Sequence, residues 1–298
     1  LVGSEMCIRD STYPIQAPST PIVRKLPGRM HVAIVGSGPA ALYAADELLK
    51  QDEVHVTVID RLPTPHGLVR CGVAPDHVDT KSIERLFRQI EDQPGFHYLL
   101  NVEVGTHVSH AELLEHCSAV IYATGASQDR KLQIPGESLL GSETATEFVA
   151  WYNGHPDHAD RTFDLTGERA VIIGNGNVAL DVARILTADP GLLAATEIAD
   201  HALEALRASA IREVVILGRR GVEQAAFTLP ELVGLLSHSD LEFVVEGADL
   251  DEPIADPMAA RKVCLLYTSD AADELHCVDL GGRRILKKHN AHPHELSC

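Results

Sequence analysis

The chain has 298 residues, of which 45% are hydrophobic and 23% charged, and it carries a formal net charge of −18. That length suffices for two domains of ordinary size, no run approaches the roughly 18 apolar residues of a membrane span, and the acidic balance excludes the basic footprint of nucleic-acid binding. Six cysteines are present; only Cys71 and Cys117 fall inside the patterned part of the chain, so no disulfide framework is expected and a reducing, cytoplasmic setting is the default.

Both ends read differently from the middle. Leu1–Ser11 is LVGSEMCIRDS, and Cys264–Glu274 is CLLYTSDAADE, continuing into VDLGGRRILKKHN. These strings resemble translated sequencing-adapter DNA, with ordinary disordered tails as the alternative. Residues 1–28 and 263–298 are therefore expected to be artefactual or disordered. This leaves a first domain over 29–127 and a second over 128–262, the latter expected to stop in mid-gene.

The first domain opens with an apolar strand, His31–Val35, of the kind buried on both faces of a parallel sheet. Gly36-Ser37-Gly38-Pro39-Ala40-Ala41 follows at once. In this fingerprint Gly36 permits the tight turn, Gly38 lets the backbone approach a pyrophosphate, and Ala41 keeps the helix close to the strand. A helix over Pro39–Lys50 then aims its first amides at the phosphates, with proline suited to its first turn. The next strand, Val54–Ile59, ends in Asp60, near the spacing of about 20 residues at which an acid bonds a ribose 2′-hydroxyl. A carboxylate there repels a 2′-phosphate, so FAD or NAD is expected at this site rather than NADP.

From Leu62 to His77 the chain reads LPTPHGLVRCGVAPDH, with Lys81 just beyond. The string PxPxGLVRxGVAPDH resembles the adrenodoxin-reductase type of ferredoxin–NADP reductase, and the likeness extends from about residue 30 to 262. It implies that this segment lies along a flavin, with backbone contacts around Leu68, and that Val104, in Asn101–Gly105, is a second flavin-contacting position. It also implies that His77 lies near the nicotinamide. His66 stands where that family commonly has an aromatic ring. Flavin disulfide reductases place a CxxxxC pair about here, but the partner of Cys71 would be Asp76. No dithiol can form, Cys71 reads as a packing residue, and electrons must leave for an external acceptor. After the apolar strand Ala119–Ile121, the turn Tyr122–Ala126 with Gly125 resembles the second flavin-side turn of two-dinucleotide oxidoreductases. Phe148, Trp151 and Tyr152 read as helical packing, and His155 and His158 as solvated residues of the loop Asn153–Asp160, with no third ligand spaced for a metal.

The second domain repeats the signature. Strand Ala170–Ile173 runs into Gly174-Asn175-Gly176-Asn177-Val178-Ala179, and a helix is expected over Asn177–Thr187. Asn177 and the neighbouring amides should face the pyrophosphate, while Asp181 complements the helix dipole. After a helical stretch over Asp200–Ser209, strand Glu213–Leu217 ends in Gly218-Arg219-Arg220-Gly221. Two guanidinium groups stand where the first site has Asp60, and their fork geometry matches a 2′-phosphate, so this site is expected to take NADP. Glu231 matches a family position near NADP. The family usually has a second acid three positions on, where this chain has Gly234, which removes the basis for a His–Glu proton relay.

Two such signatures predict an α/β protein with two Rossmann-like dinucleotide-binding domains, the flavin domain incomplete because no second flavin motif follows Lys262. The resemblance implies hydride transfer between NADPH and FAD and single-electron exchange with a ferredoxin-type iron–sulfur protein. Two alternatives stay open: the electron-supplying small subunit of glutamate synthase, which usually shows a GIPxF-like string where this chain has Gly72–His77, and a non-catalytic nucleotide-binding module.

Overall fold

The structure is a computed structural model that describes residues 29–126, 129, 131–219, 224–236, 241–245, 260, 262 and 283–288. The chain forms two compact units. Residues up to Ser138 join Val149–Asp160 in one, and Leu139–Phe148 joins the residues from Arg161 onward in the other. Compared with the expected boundary at 127/128, the first unit keeps the chain for longer and takes back Val149–Asp160. Among the described residues no helix is long and apolar enough to cross a membrane.

In the first unit, β1 (Met30–Val35) enters the glycine turn and α1 (Pro39–Leu49) leaves it. Proline opens α1 where its missing N–H costs nothing, and Ala41, Leu42 and Ala45 give it one buried face of mostly small side chains. Next come β2 (Val54–Asp60), α2 (Glu84–Glu91), β3 (Phe96–Leu100), α3 (His110–His116) and β4 (Ala119–Tyr122). α2 turns Phe87 and Ile90 inward and Arg85 and Arg88 outward. Ser109 and Glu112 form a reciprocal capping box at the start of α3, which satisfies two otherwise orphaned amides.

The strands make one parallel sheet in the order β3-β2-β1-β4. Its register pairs Val35 with Ile59 on one side and with Tyr122 on the other. The C-terminal ends of three strands therefore finish together, and the segments that follow them share one rim. One core joins Val32, Ile34, Val56 and Val58 to Leu42, Phe87, Ile90 and Phe96, and a second on the other face joins Ala33, Val35 and Ile59 to Leu113 and Cys117. Truncating a side chain such as Leu42 in this packing costs about 2–5 kcal/mol. At the C-terminal end of α4 (Ala145–Tyr152), Trp151 and Tyr152 are fully enclosed.

The second unit contains β5 (Arg169–Ile173), α5 (Asn177–Thr187), α6 (Asp200–Arg207), β6 (Glu213–Leu217), α7 (Leu229–Leu236), β7 (Leu241–Val245) and β8 (Arg283–Lys288). The sheet order is β5-β6-β8-β7, with β5 and β6 parallel and β8 antiparallel to both neighbours. Within residues 263–298, expected to be artefactual or disordered, 283–288 form β8 between β6 and β7. Strand β5, apolar like β1, leaves Val171 and Ile173 each 54% exposed. Among the described residues β5 is an edge strand with a neighbour on one side only, and these residues cover only one of its faces.

Candidate functional site

The first glycine turn is built by close approach. Gly36 has φ +104°, a conformation that an L side chain rarely adopts, and an added Cβ would lie 2.4 Å from the Ala123 carbonyl oxygen. Glycine is therefore required where β1 meets the segment after β4. Gly67 closes the turn from another direction: at φ +46°, its Cβ would come within 2.9 Å of the Gly38 Cα. Around Gly38 itself, by contrast, a Cβ would meet nothing within 4 Å. Gly38 is the N-cap of α1 and no side chain caps that helix, with Pro39 at its first position and Ala40 exposed beside it. An enclosed glycine turn with an open space at an uncapped helix N-terminus fits a pyrophosphate.

Asp60 stands at the end of β2, beside this turn. Its Oδ2 accepts from the Ser37 N–H (2.7 Å) and the Ser37 hydroxyl (2.6 Å), and its Oδ1 accepts from the Leu62 N–H (2.9 Å). Three donors occupy three of the roughly four acceptor positions of a carboxylate, so the group is oriented and retains capacity for about one more donor, such as a ribose hydroxyl. Ser37 and Gly67 were not singled out in the sequence. The only local signal for Ser37 was its place between the two glycines.

The remaining first-unit candidates lie along the same chain segments. Leu68 opens the short helical turn Leu68–Cys71 with its side chain 70% exposed. Val104 packs at the margin of the second core with Val102 and Val108, and Gly125 is exposed just after β4 with φ +71°. His77 precedes the helical turn Val78–Lys81; its N–H donates to Ala74 O and its carbonyl accepts from the Lys81 N–H, both at 3.0 Å. Cys71 is a free thiol whose acidity is pushed down by burial, that is, to a pKa above the ordinary cysteine value, which suits packing rather than nucleophilic chemistry. His66 is buried against α2, within ion-pair distance of Glu84 and Glu91. His155 and His158 stand 5.3 Å apart in a turn where Arg61 holds Asp157 through both guanidinium nitrogens. Burial pulls His155 below the usual histidine value.

The second turn is more open. Gly176 caps α5 without side-chain help, and neither Gly174 nor Gly176 has an atom within 4 Å of an added Cβ. Backbone bonds join Gly174 N–H to Leu217 O (2.9 Å) and Phe227 N–H to Asn175 O (3.1 Å). The Oδ1 of Asn177 accepts from the Thr228 N–H at 2.7 Å, tying the helix start to the segment before α7. Val178, one position on, is half exposed. Arg219 is exposed just beyond the end of β6, and Arg220 lies outside the described residues.

Arg184 is a residue that sequence reasoning missed. It is 3% exposed, donates from Nη2 to Asp181 Oδ1 (2.8 Å), and places Nη1 3.7 Å from Glu231 Oε2. Asp181, beyond the first turn of α5, therefore serves a buried guanidinium, and Glu231 on α7 is drawn toward α5. The spacing of Asp181 and Arg184 on one helix face was the available signal. Its partner 47 positions further on was not legible.

Two strand–glycine–helix sites in separate units, the first followed by a carboxylate and the second by a guanidinium, define a two-dinucleotide oxidoreductase plan. Residues 30–220 match the pyridine nucleotide-disulphide oxidoreductase family, and the chain belongs to that family. It is 57% identical over 262 residues to a probable ferredoxin/ferredoxin–NADP reductase of Mycobacterium bovis, covering 85% of this chain and 45% of the relative. It is 50% identical over 229 residues to the mitochondrial NADPH:adrenodoxin oxidoreductase of Arabidopsis thaliana, covering 76% of this chain and 47% of the relative. The structure of Mycobacterium tuberculosis FprA in complex with NADPH superposes with a TM-score of 0.79 at 48% identity, over 83% of this chain and 57% of that one. The chain spans about half the length of the curated relatives it matches.

Proposed function

We propose that the chain is part of an FAD-dependent ferredoxin–NADP reductase, with FAD at the Gly36–Gly38 turn, NADPH at the Gly174–Gly176 turn, and a ferredoxin-type iron–sulfur protein as the electron acceptor. The single observation that carries this reading is the pair of uncapped helix N-termini behind glycine turns, with Asp60 beside one and Arg219 beside the other. Relatives whose names include ferredoxin–NADP reductase and NADPH:adrenodoxin oxidoreductase support it. A bound FAD supplies two-electron uptake from a nicotinamide and one-electron release to an iron–sulfur centre.

The protein's own part is binding and alignment. Asp60, already oriented by Ser37 and Leu62, accepts from a ribose hydroxyl and repels a 2′-phosphate. Arg219, with Arg220, attracts that phosphate by bidentate charge-assisted bonds. The α1 and α5 N-termini hold the two pyrophosphates. Leu68, Val104 and Gly125 lie in the segments assigned to the flavin, and His77 is assigned to the nicotinamide side. With Gly234 in place of the family acid, no proton relay is invoked; hydride transfer rests on positioning of the two rings. The free thiol of Cys71 suits the reducing cytoplasm proposed as its location.

The test is a titration of the purified chain with FAD, followed by NADPH under anaerobic conditions. Since the chain spans about half the length of its relatives, the reading expects weak but saturable flavin binding by this chain, while bleaching of the flavin by NADPH, with little by NADH, is expected of a full-length protein. A chain that binds NADPH but no flavin would leave only the nucleotide-binding module.

A further inference from the structure

Among the described residues, His66 is the single buried histidine, and its surroundings are more specific than packing requires. It stands in the turn between Pro65 and Leu68 with φ +82°, followed by Gly67 at +46°. The left-handed region disfavours any residue with a β-carbon, so something must hold the backbone there. The ring supplies it: Nε2 lies 2.7 Å from Glu91 Oε1 and Nδ1 3.3 Å from Glu84 Oε1, both on α2, and the ring centroid is 5.3 Å from that of Phe87 on the same helix. Glu91 Oε1 also accepts from the Tyr98 hydroxyl at 3.0 Å, and Arg70 approaches Glu84 at 4.0 Å.

The backbone of the same residue reaches the opposite way. The His66 N–H donates to the Ser37 carbonyl at 3.0 Å, the His66 carbonyl accepts from the Val69 N–H at 3.0 Å, and Gly67 abuts Gly38. A continuous path therefore runs from two carboxylates on α2, through one imidazole, to the glycine turn. A hydrocarbon ring in this position could fill the space, but it could not hydrogen-bond Glu91 as Nε2 does.

Resting on the reading that this turn holds FAD, we propose that His66 is a positioning residue for the flavin: its ring, hydrogen-bonded to Glu91 and lying beside Glu84, fixes the Pro65–Leu68 turn against Ser37-Gly38 and thereby sets FAD affinity. The residue touches no part of the reaction; it acts through the placement of Gly67 and Leu68.

The experiment compares the full 298-residue chain with His66→Phe, His66→Gly, Glu91→Gln and Glu91→Ala, using FAD titration, amide hydrogen exchange without FAD, and unfolding monitored at Trp151. His66→Phe keeps a ring and loses both nitrogens; it is expected to weaken FAD binding at least tenfold and to speed exchange of the residue-66 and Val69 amides, with the unfolding midpoint nearly unchanged. His66→Gly relieves the backbone conformation yet should lose FAD affinity to the same degree. Glu91→Gln retains an acceptor for Nε2 and should stay within threefold of the parent, whereas Glu91→Ala should behave like His66→Phe, which keeps the comparison available should the histidine variants not fold. A folded His66→Phe or His66→Gly that binds FAD as tightly as the parent overturns the proposal alone. A parent chain that binds no FAD overturns the flavin reading, and this proposal with it.

Discussion

Replacing Gly36 by alanine asks whether the first turn depends on backbone proximity. At φ +104° a β-carbon is disfavoured, by roughly 1–2 kcal/mol. The added carbon would also lie 2.4 Å from the Ala123 oxygen and 2.8 Å from its carbonyl carbon. Both are main-chain atoms, pinned by the Ala123 N–H donating to Val35 O at 2.8 Å, so no side chain can swing aside. The ends of β1 and β4 must separate, an overpacking displacement that costs about 1–3 kcal/mol. The expected loss is therefore about 2–5 kcal/mol. Two units need not unfold together, so the assay needs a signal from the right one. The single tryptophan, Trp151, is buried and belongs to the same unit as Gly36, so its fluorescence in a urea titration serves. Gly38→Ala is the matched control: φ is −76° and the methyl meets nothing. It should change stability by less than about 0.5 kcal/mol while placing a methyl group where the pyrophosphate is proposed to lie, and so weaken FAD binding. A Gly36→Ala loss below about 1 kcal/mol, or equal losses for the two variants, would refute the reasoning.

Three further outcomes are expected. Arg219→Ala, alone or with Arg220→Ala, should lower the preference for NADPH over NADH roughly ten- to hundredfold, the worth of a charge-assisted phosphate contact; an unchanged ratio of dissociation constants removes the 2′-phosphate assignment. Arg184→Ala withdraws a buried guanidinium from Asp181 and Glu231 and should destabilise the second unit by about 3–5 kcal/mol, seen as faster hydrogen exchange across α5 and α7; exchange like the parent's would show that the pair is not structural. Arg61 holds Asp157 below the ordinary carboxylate value by hydrogen bonding. A depressed folded pKa adds stability above the unfolded value near 3.8, lost as pH falls through the folded value. Both side chains are nearly half exposed, so a double-mutant cycle of Arg61→Ala and Asp157→Ala should give at most about 1 kcal/mol at neutral pH and nothing in strong acid. A coupling that grows on acidification would contradict this sign.

The elements that the sequence made legible are those whose signal is local. Pro39 after Gly38 marked the start of α1, and Asn177–Thr187 was read with the bounds that the structure gives. What stayed hidden depends on partners distant in the chain. Asp60 was read as a ribose ligand, but its fixing by Ser37 needs the register that sets Val35 beside Ile59. The requirement for glycine at position 67 comes from Gly38, and the anchoring of His66 from α2. The exposed face of β5 and the placement of 283–288 in a sheet follow from strand order, which periodicity along one strand does not encode.

The two glycine turns share a signature but differ in how they are held. The first is pressed by Ala123 and Gly67, tied to β2 through Ser37, and linked to α2 through His66. Around Gly174 and Gly176 the described residues leave open space, and the tethers are Asn177 to Thr228 and Asn175 to Phe227. A turn ordered before its ligand arrives gives up less freedom on binding and so holds the ligand longer. That asymmetry matches the proposed roles: a flavin must stay through every turnover, while a nicotinamide must leave after each one. If Arg219 and Arg220 select the second ligand by charge rather than by enclosure, specificity there does not require tight retention. The difference between the turns is then part of the function and not a weakness of the second fold unit.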